Sequence, residues 1–277
     1  MRLDRAVLAR GLARSRTHAQ SLIAAGAIAV DGMPMTRAAL PVGEDAEITV
    51  VGAPDAYVSR AAHKLLGALD ACEPLGLTVH GRTALDAGAS TGGFTQVLLE
   101  RGVSSVIALD VGHSQLDPRL RGDSRVTVVE GTNVRDLTRA SAGSGVDLVV
   151  ADLSFISLTL VVAPLVAFAR DGADLVLMVK PQFEVGRERL RKTGVVTDRS
   201  QRAAAVHAVV SSMRDVGLAI HAVVRSPLPG PNGNVEFFVW GSSAWQARTQ
   251  VAPSDVPPML DDEQVAAAIA HQVEGLE

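Results

Sequence analysis

The sequence predicts an α/β protein: a doubly wound, mostly parallel sheet of seven strands with its last pair antiparallel, preceded by a small N-terminal α+β domain. Three observations predict it. From Thr83 onward, short runs rich in β-branched residues alternate with helical stretches, which is the pattern of a parallel sheet with crossover helices. The last run, "NVEFFVW", follows the turn-rich "SPLPGPNG" with no room for a crossover helix, so it must pair antiparallel. Residues 1–51 carry a different pattern and the opposite charge.

The chain has 277 residues, enough for one large domain and one small one. Hydrophobic residues make up 47% and aromatic ones only 3%, so the core must be aliphatic. The single cysteine, Cys72, excludes an internal disulfide, fits a reducing compartment and reads as a small buried apolar residue on a helix. Arginines interrupt the opening "MRLDRAVLARGLARSR", unlike a signal peptide. The longest uncharged run, Leu153 to Ala169, falls short of a membrane span, contains Pro164 and reads as buried sheet core. A cytoplasmic protein without membrane contact is expected, and a monomer. Residues 1–40 hold six arginines against two aspartates, whereas residues 241–277 hold one arginine against six acids. A basic head on an acidic chain points to a polyanion as partner.

Residues 3–10 have helical spacing and Gly11 is a helix stop. Ser15 is an N-cap for "RTHAQSLIAAG". "AIAVDGMPM" reads as strand, Asp-Gly turn, strand, and "AEITVVG" as a closing strand. Residues 52–58 read as a linker, in which Tyr57 is expected to pack between the domains. Ser59 is expected to cap a helix through Cys72. The strands are "TALDAG", "SVIALD", "VTVVE", "VDLVVADL", "ADLVLMVK", "LAIHAVVRS" and "NVEFFVW", with helices near 93–101, 114–121, 157–170 and 199–216. The large domain is expected over 59–242. Residues 243–277 read as an acidic, partly disordered tail with a short helix at 261–273.

The loop "LDAGASTGGF" carries the first chemistry. It lacks the Gly-Lys-Ser/Thr of a phosphate loop, and Gly88, Gly92 and Gly93 do not fit the dinucleotide fingerprint. Asp86 stands at the strand end. The glycines let backbone approach a ligand, and the helix starting at Gly93 or Phe94 offers free amides. Asp110, ending the second strand, is placed to accept both ribose hydroxyls of a nucleoside. Thr132 and Asn133, after the third strand, fall where an adenine edge would lie. The order resembles the Rossmann-like S-adenosylmethionine-dependent methyltransferases. That resemblance implies S-adenosylmethionine as cofactor, held by Asp86, Gly88, Ser90, Gly92, Gly93, Phe94, Asp110, Thr132 and Asn133.

Lys64, Asp152, Lys180 and Glu236 fall before the first strand, at the ends of the fourth and fifth, and at the start of the last. Ligands of open α/β sheets bind at such strand ends. The set resembles the tetrad of the FtsJ-like ribose 2′-O-methyltransferases. A ribose hydroxyl must lose its proton to become a good nucleophile. A lysine of ordinary pKa, about 10.4, is too protonated to take it, and a second nearby cation corrects this. Lys180 is read as the base, Asp152 as lying between the lysines, and Lys64 and Glu236 as orienting the substrate. Base N-methylation would put Asn/Asp-Pro-Pro-aromatic where this chain has "DLSF". Cytosine carbon methylation needs a catalytic cysteine, and Cys72 lies in a helix. No metal is expected.

The head, from Arg2-Leu3-Asp4 through Gly11, Ser15-Arg16 and Gly26 to Gly32, resembles the S4-type RNA-binding module. Its arginines suit phosphates of structured RNA, and without aromatics it reads shape rather than unpaired bases. Arg2, Arg5, Arg14 and Arg16, with Arg60 beyond the linker, are the RNA-binding candidates. The order of "SRAAHKL", "LDAGASTGGF", "ADLSFISL", "VKPQFEVG" and "SPLPGPNGNVEFF" resembles the TlyA family over about residues 2–240. It implies methyl transfer from S-adenosylmethionine to a cytidine 2′-hydroxyl of ribosomal RNA, of either or both subunits. The family also carries a haemolysin label, so a pore-former is one alternative; it needs a membrane-seeking segment. A non-catalytic ribosome-assembly factor is another; it predicts a broken loop or tetrad.

Overall fold

The computed structural model describes residues 1–13, 16–24, 26–51, 57–186, 190, 193–243 and 257–274. The chain forms two compact units, Met1–Ala56 and Tyr57–Glu277. The expected Ser15 cap, Arg14 and most of the linker lie outside the described residues.

The first unit is α1 (Leu3–Ala9), α2 (Arg16–Ala24), β1 (Ile28–Val30), β2 (Met33–Met35) and β3 (Ile48–Val50). The Asp-Gly turn forms as the sequence predicts: Asp31 and Gly32 both adopt positive φ, 52° and 78°, so β1 and β2 pair antiparallel with matching twist. β3 pairs antiparallel with the other edge of β1. Leu3, Val7, Ile23 and Ile28 fill a small aliphatic core beneath the sheet.

The second unit begins with α3 (Ala61–Cys72). It continues through β4 (Thr83–Ala87), α4 (Gly93–Glu100), β5 (Ser105–Asp110), α5 (Pro118–Arg121), β6 (Val126–Glu130), α6 (Arg139–Ala142) and β7 (Leu148–Ala151). Next come α7 (Val162–Phe168), β8 (Asp174–Val179), α8 (Pro181–Glu184), α9 (Arg199–Asp215), β9 (Leu218–Arg225), β10 (Phe237–Ser243) and α10 (Asp262–Glu274). The strand order is β6-β5-β4-β7-β8-β10-β9. β4 to β8 run parallel, and β10 pairs antiparallel with both its neighbours. This is the doubly wound, mostly parallel sheet of seven strands that the sequence predicts. Both faces are covered, and Leu175 to Val179 are buried without interruption, as a central parallel strand requires.

Several elements differ from the sequence reading. Arg60, not Ser59, occupies the N-cap of α3, and no side chain caps that helix. The helix expected over 114–121 is the short α5, capped by the Asp117 side chain. The long apolar run does not bury from its start. Ser154 and Phe155 are exposed, and burial begins only at Leu158, followed by Val161, Val162, Leu165 and Phe168. The segment after residue 256 is no loose appendage. Leu260 N–H donates to the Ile220 carbonyl at 2.8 Å along the edge of β9. α10 sinks Val265, Ile269 and Val273 into the core, each worth roughly 1.5–3 kcal/mol. Tyr57 packs within the second unit: its hydroxyl donates to Glu100 at 2.8 Å and its ring meets His63 edge-on. Cys72 is fully buried, and burial pushes its thiol up to about 12, as an inert core residue.

Candidate active site

The carboxyl ends of β4, β7 and β8 open into one cavity of about 590 Å³. β4 leads into the glycine loop and then α4. At Gly88 the backbone has φ 87°, and a Cβ there would lie 2.6 Å from the Asp152 carbonyl oxygen. The loop therefore lies directly against the end of β7, and only glycine fits. Ser90 also has positive φ, 48°. Its N–H donates to Asp110 Oδ2 at 2.8 Å, and the Gly112 N–H donates to Asp110 Oδ1 at 2.7 Å. Asp110 thus shapes the loop as well as offering acceptor capacity, since a carboxylate has about four lone-pair sites.

Of the sequence-predicted cofactor residues, Gly88, Ser90, Gly93 and Phe94 line the cavity. The other five do not. Gly92 faces Leu116 and Leu120 on the far side of the loop. Thr132 N–H donates to the Asp110 carbonyl at 3.2 Å, and Asn133 Oδ1 accepts from Arg135 N–H at 3.0 Å, capping a short turn. Asp86 is fully buried beneath the loop. Its Oδ2 accepts from Thr95 Oγ1 at 2.6 Å, while Oδ1 has no partner in the protein. Burial pushes the Asp86 carboxyl up to about 7 against the Thr95 bonds, and the charges of Asp152 and Asp110 add to the rise.

The four tetrad residues all line this cavity, although they span positions 64 to 236 of the sequence. Lys64 Nζ is 2.5 Å from Glu236 Oε2, with side chains 6% and 1% exposed. Lys180 Nζ is 2.5 Å from Asp152 Oδ1 and donates to Ser154 Oγ at 3.0 Å. Gln182 Nε2 reaches Glu236 Oε1 at 3.5 Å. The wall therefore holds two lysine–carboxylate pairs beside a glycine loop. A lysine here can exchange a proton with a ligand hydroxyl, and the paired carboxylate holds the ammonium that results.

Some wall residues escaped the sequence reading. Phe155 is 92% exposed with φ 64°, and its ring sits 5.2 Å from that of Phe183. Asn234 is buried and ties the neighbouring loop, accepting from Val196 N–H and donating to the Gly194 carbonyl, both at 2.9 Å. The aromatic pair and Ser154 sit within motifs already singled out, yet their positions depend on the turn that "DLSF" adopts. Arg60 lines the cavity and donates to the Pro229 carbonyl at 2.6 Å.

In the first unit, Arg2, Arg5 and Arg16 are all exposed. Asp4 is buried and accepts from Arg2 Nε and Nη2 at 3.1 and 3.2 Å, from Arg16 Nε at 3.0 Å and from Gln20 Nε2 at 3.0 Å. Arg10 is instead bound to the Glu44 and Ala46 carbonyls.

An FtsJ-like methyltransferase family model matches residues 57–243, and an S4 domain model matches residues 1–48. The chain is 52% identical over 240 residues to the 16S/23S rRNA (cytidine-2′-O)-methyltransferase TlyA of Mycobacterium tuberculosis, covering 86% of this chain and 88% of that one. The chain belongs to the TlyA family of FtsJ-like methyltransferases. It is accordingly a methyltransferase that carries an S4 domain. Hemolysin A of Brachyspira hyodysenteriae is 37% identical over 86% of this chain and 98% of its own. A solved structure described as a candidate hemolysin from Streptococcus thermophilus superposes with a TM-score of 0.74 at 30% identity, covering 99% of this chain and 96% of that one. Among the described residues no helix is long and apolar enough to cross a membrane.

Proposed function

We propose that the protein transfers a methyl group from S-adenosylmethionine to a cytidine ribose 2′-hydroxyl of ribosomal RNA, acting in the cytoplasm on ribosomal subunits. The observation that carries this reading is the pair of lysine–carboxylate contacts, Lys64–Glu236 and Lys180–Asp152, on the wall of one cavity beside the glycine loop. The relatives named for this reaction support it. Lys64, Asp152, Lys180 and Glu236 all come from one chain, so a monomer suffices.

The residues fit the cofactor. A close-approach glycine at Gly88, a diol acceptor at Asp110 and a buried, half-partnered acid at Asp86 suit a cationic amino acid joined to a nucleoside. When bound, S-adenosylmethionine supplies a sulfonium-activated methyl group. Gly88, Ser90, Gly93 and Phe94 would hold its methionine end and Asp110 its ribose. Thr132 and Asn133 would flank the base.

Lys180 in its neutral form accepts the proton that the 2′-hydroxyl gives up as its oxygen takes the methyl group. Asp152, 2.5 Å away, stabilises the ammonium that forms. Because that charge develops only as the proton moves, the pair acts on the transition state rather than on binding. Lys64, fixed by Glu236, presents a second cation to the hydroxyl oxygen. In the head, Arg2, Arg5, Arg14 and Arg16 hold phosphates and set the enzyme on its RNA. Mass spectrometry of ribose methylation in rRNA treated with protein and S-adenosylmethionine tests the proposal. The expected result is one or more 2′-O-methylcytidines absent from untreated RNA. Methylation on a base, or none on any rRNA, would refute it.

A further inference from the structure

The mechanism leaves the bond from Lys180 Nζ to Ser154 Oγ, 3.0 Å long, without a role. Ser154 is exposed, so nothing in its surroundings obliges its hydroxyl to bond a lysine that is itself only 10% exposed. The loop that carries it is fixed at both ends. Asp152 N–H donates to the Ala87 carbonyl at 3.0 Å. At the other end, Leu158 N–H donates to Glu184 Oε1 at 2.9 Å and Ser157 Oγ donates to the same carboxylate. Between these anchors Phe155 is held at φ 64°, a conformation that is costly without glycine and that surrounding structure must enforce. This turn sets Ser154 beside the lysine.

The geometry has a consequence for a neutral amine. Such a nitrogen has two N–H bonds and one lone pair. Ser154 Oγ accepts one N–H at 3.0 Å, and the Asp152 carboxylate, with Oδ1 2.5 Å from the nitrogen, repels the lone pair from its side. Asp152, Ser154 and Lys180 share the wall of one cavity, so the remaining tetrahedral position is the one left for a ligand hydroxyl. With Asp152 alone, the amine would turn about its last bond and place a hydrogen there as readily as the lone pair.

We infer that Ser154 is a positioning residue for the base, orienting the Lys180 lone pair toward the substrate 2′-hydroxyl. The inference rests on the proposed role of Lys180 and adds to it a residue with no acid–base chemistry of its own. Ser154 acts through the base and carries no charge for a phosphate or a sulfonium, so it bears on turnover and not on affinity.

The test uses the full-length protein with rRNA and S-adenosylmethionine, comparing Ser154→Ala, Ser154→Thr and Lys180→Ala. Ser154→Ala should lower kcat about tenfold, the effect of one hydrogen bond of ordinary strength, with KM for RNA and Kd for the cofactor unchanged. Ser154→Thr, which keeps the hydroxyl, should restore kcat. Normal kcat in Ser154→Ala overturns the inference. So does a loss seen only in KM, or one that threonine does not restore. If Lys180→Ala is inactive in the same experiment, the proposed function stands without the inference. If Lys180→Ala turns over normally, both fall.

Discussion

Two carboxylates, one in each unit, are both without exposed surface and behave in opposite ways. Asp4 is surrounded by Arg2, Arg16 and Gln20, and the bonds from these donors hold its carboxyl well below the usual range. Asp86 has one hydroxyl donor, an unpartnered oxygen and two acidic neighbours, and burial pushes it up to about 7. The two differ in both respects that set a carboxylate's charge: desolvation dominates at Asp86, and side-chain donors dominate at Asp4. Asp4 has its donors built in, which suits a fixed anchor for two arginines. Asp86 lacks them, which suits a site that a cationic ligand completes.

Replacing each acid by asparagine breaks this comparison most strongly. The folded-state pKa of Asp86 is raised above an unfolded value of about 3.9. Its contribution is therefore fully favourable below pH 4 and is lost as pH rises through 7, by up to about 4 kcal/mol. Urea unfolding of the ligand-free protein should show stability falling from pH 5 to pH 8. Asp86→Asn should flatten that fall and be the more stable protein at pH 8. Asp4 has the reverse sign: its contribution is present above pH 4 and lost in stronger acid. Asp4→Asn should therefore lower stability at pH 8. Two variants shifting stability in the same direction at that pH would erase the distinction.

A smaller effect is expected at Asp110. Asp110→Ala removes a ribose acceptor and also releases the Ser90 and Gly112 amides that fix the loop. Calorimetry should show S-adenosylmethionine binding weakened by about 1.5–3 kcal/mol, the range for bonds to a charged group. Unchanged affinity would place the nucleoside elsewhere.

The smallest effect belongs to the head. Arg16 is exposed, and its Nε donates to Asp4. Arg16→Ala should lower RNA affinity for all sequences alike and reduce the slope of log K against log salt by about one unit. A sequence-selective loss would mean that this arginine reads a base.

What could be read in advance follows the reach of each interaction. Strands β4 to β8 and the β10 reversal were legible because burial of a parallel sheet and a short connection are local in sequence. The Asp31-Gly32 hairpin was legible for the same reason. Asp152, Lys180 and Glu236 were legible as charges at strand ends and Lys64 as a charge before the first strand, although only folding brings Lys64 to Glu236. The turn at Ser154 and Phe155 was not, because "LSFISL" reads as the start of a buried run. Its exposure comes from anchors at Ala87 and Glu184, far off in sequence. The docking of α10 was missed because an acidic, proline-containing segment precedes it, and its apolar stripe finds its partner only on β9 and α9. Asp86 read as a ligand residue, yet its burial beneath the loop depends on how Thr95 and α4 close over it.

The central claim is that Lys180 is the base for a ribose hydroxyl, and Lys180→Ala tests it most directly. With saturating rRNA and S-adenosylmethionine, single-turnover methyl transfer should be abolished while the dissociation constants for both ligands stay at their wild-type values, because the lost group acts only as the proton moves. Near-normal transfer by Lys180→Ala would contradict the account.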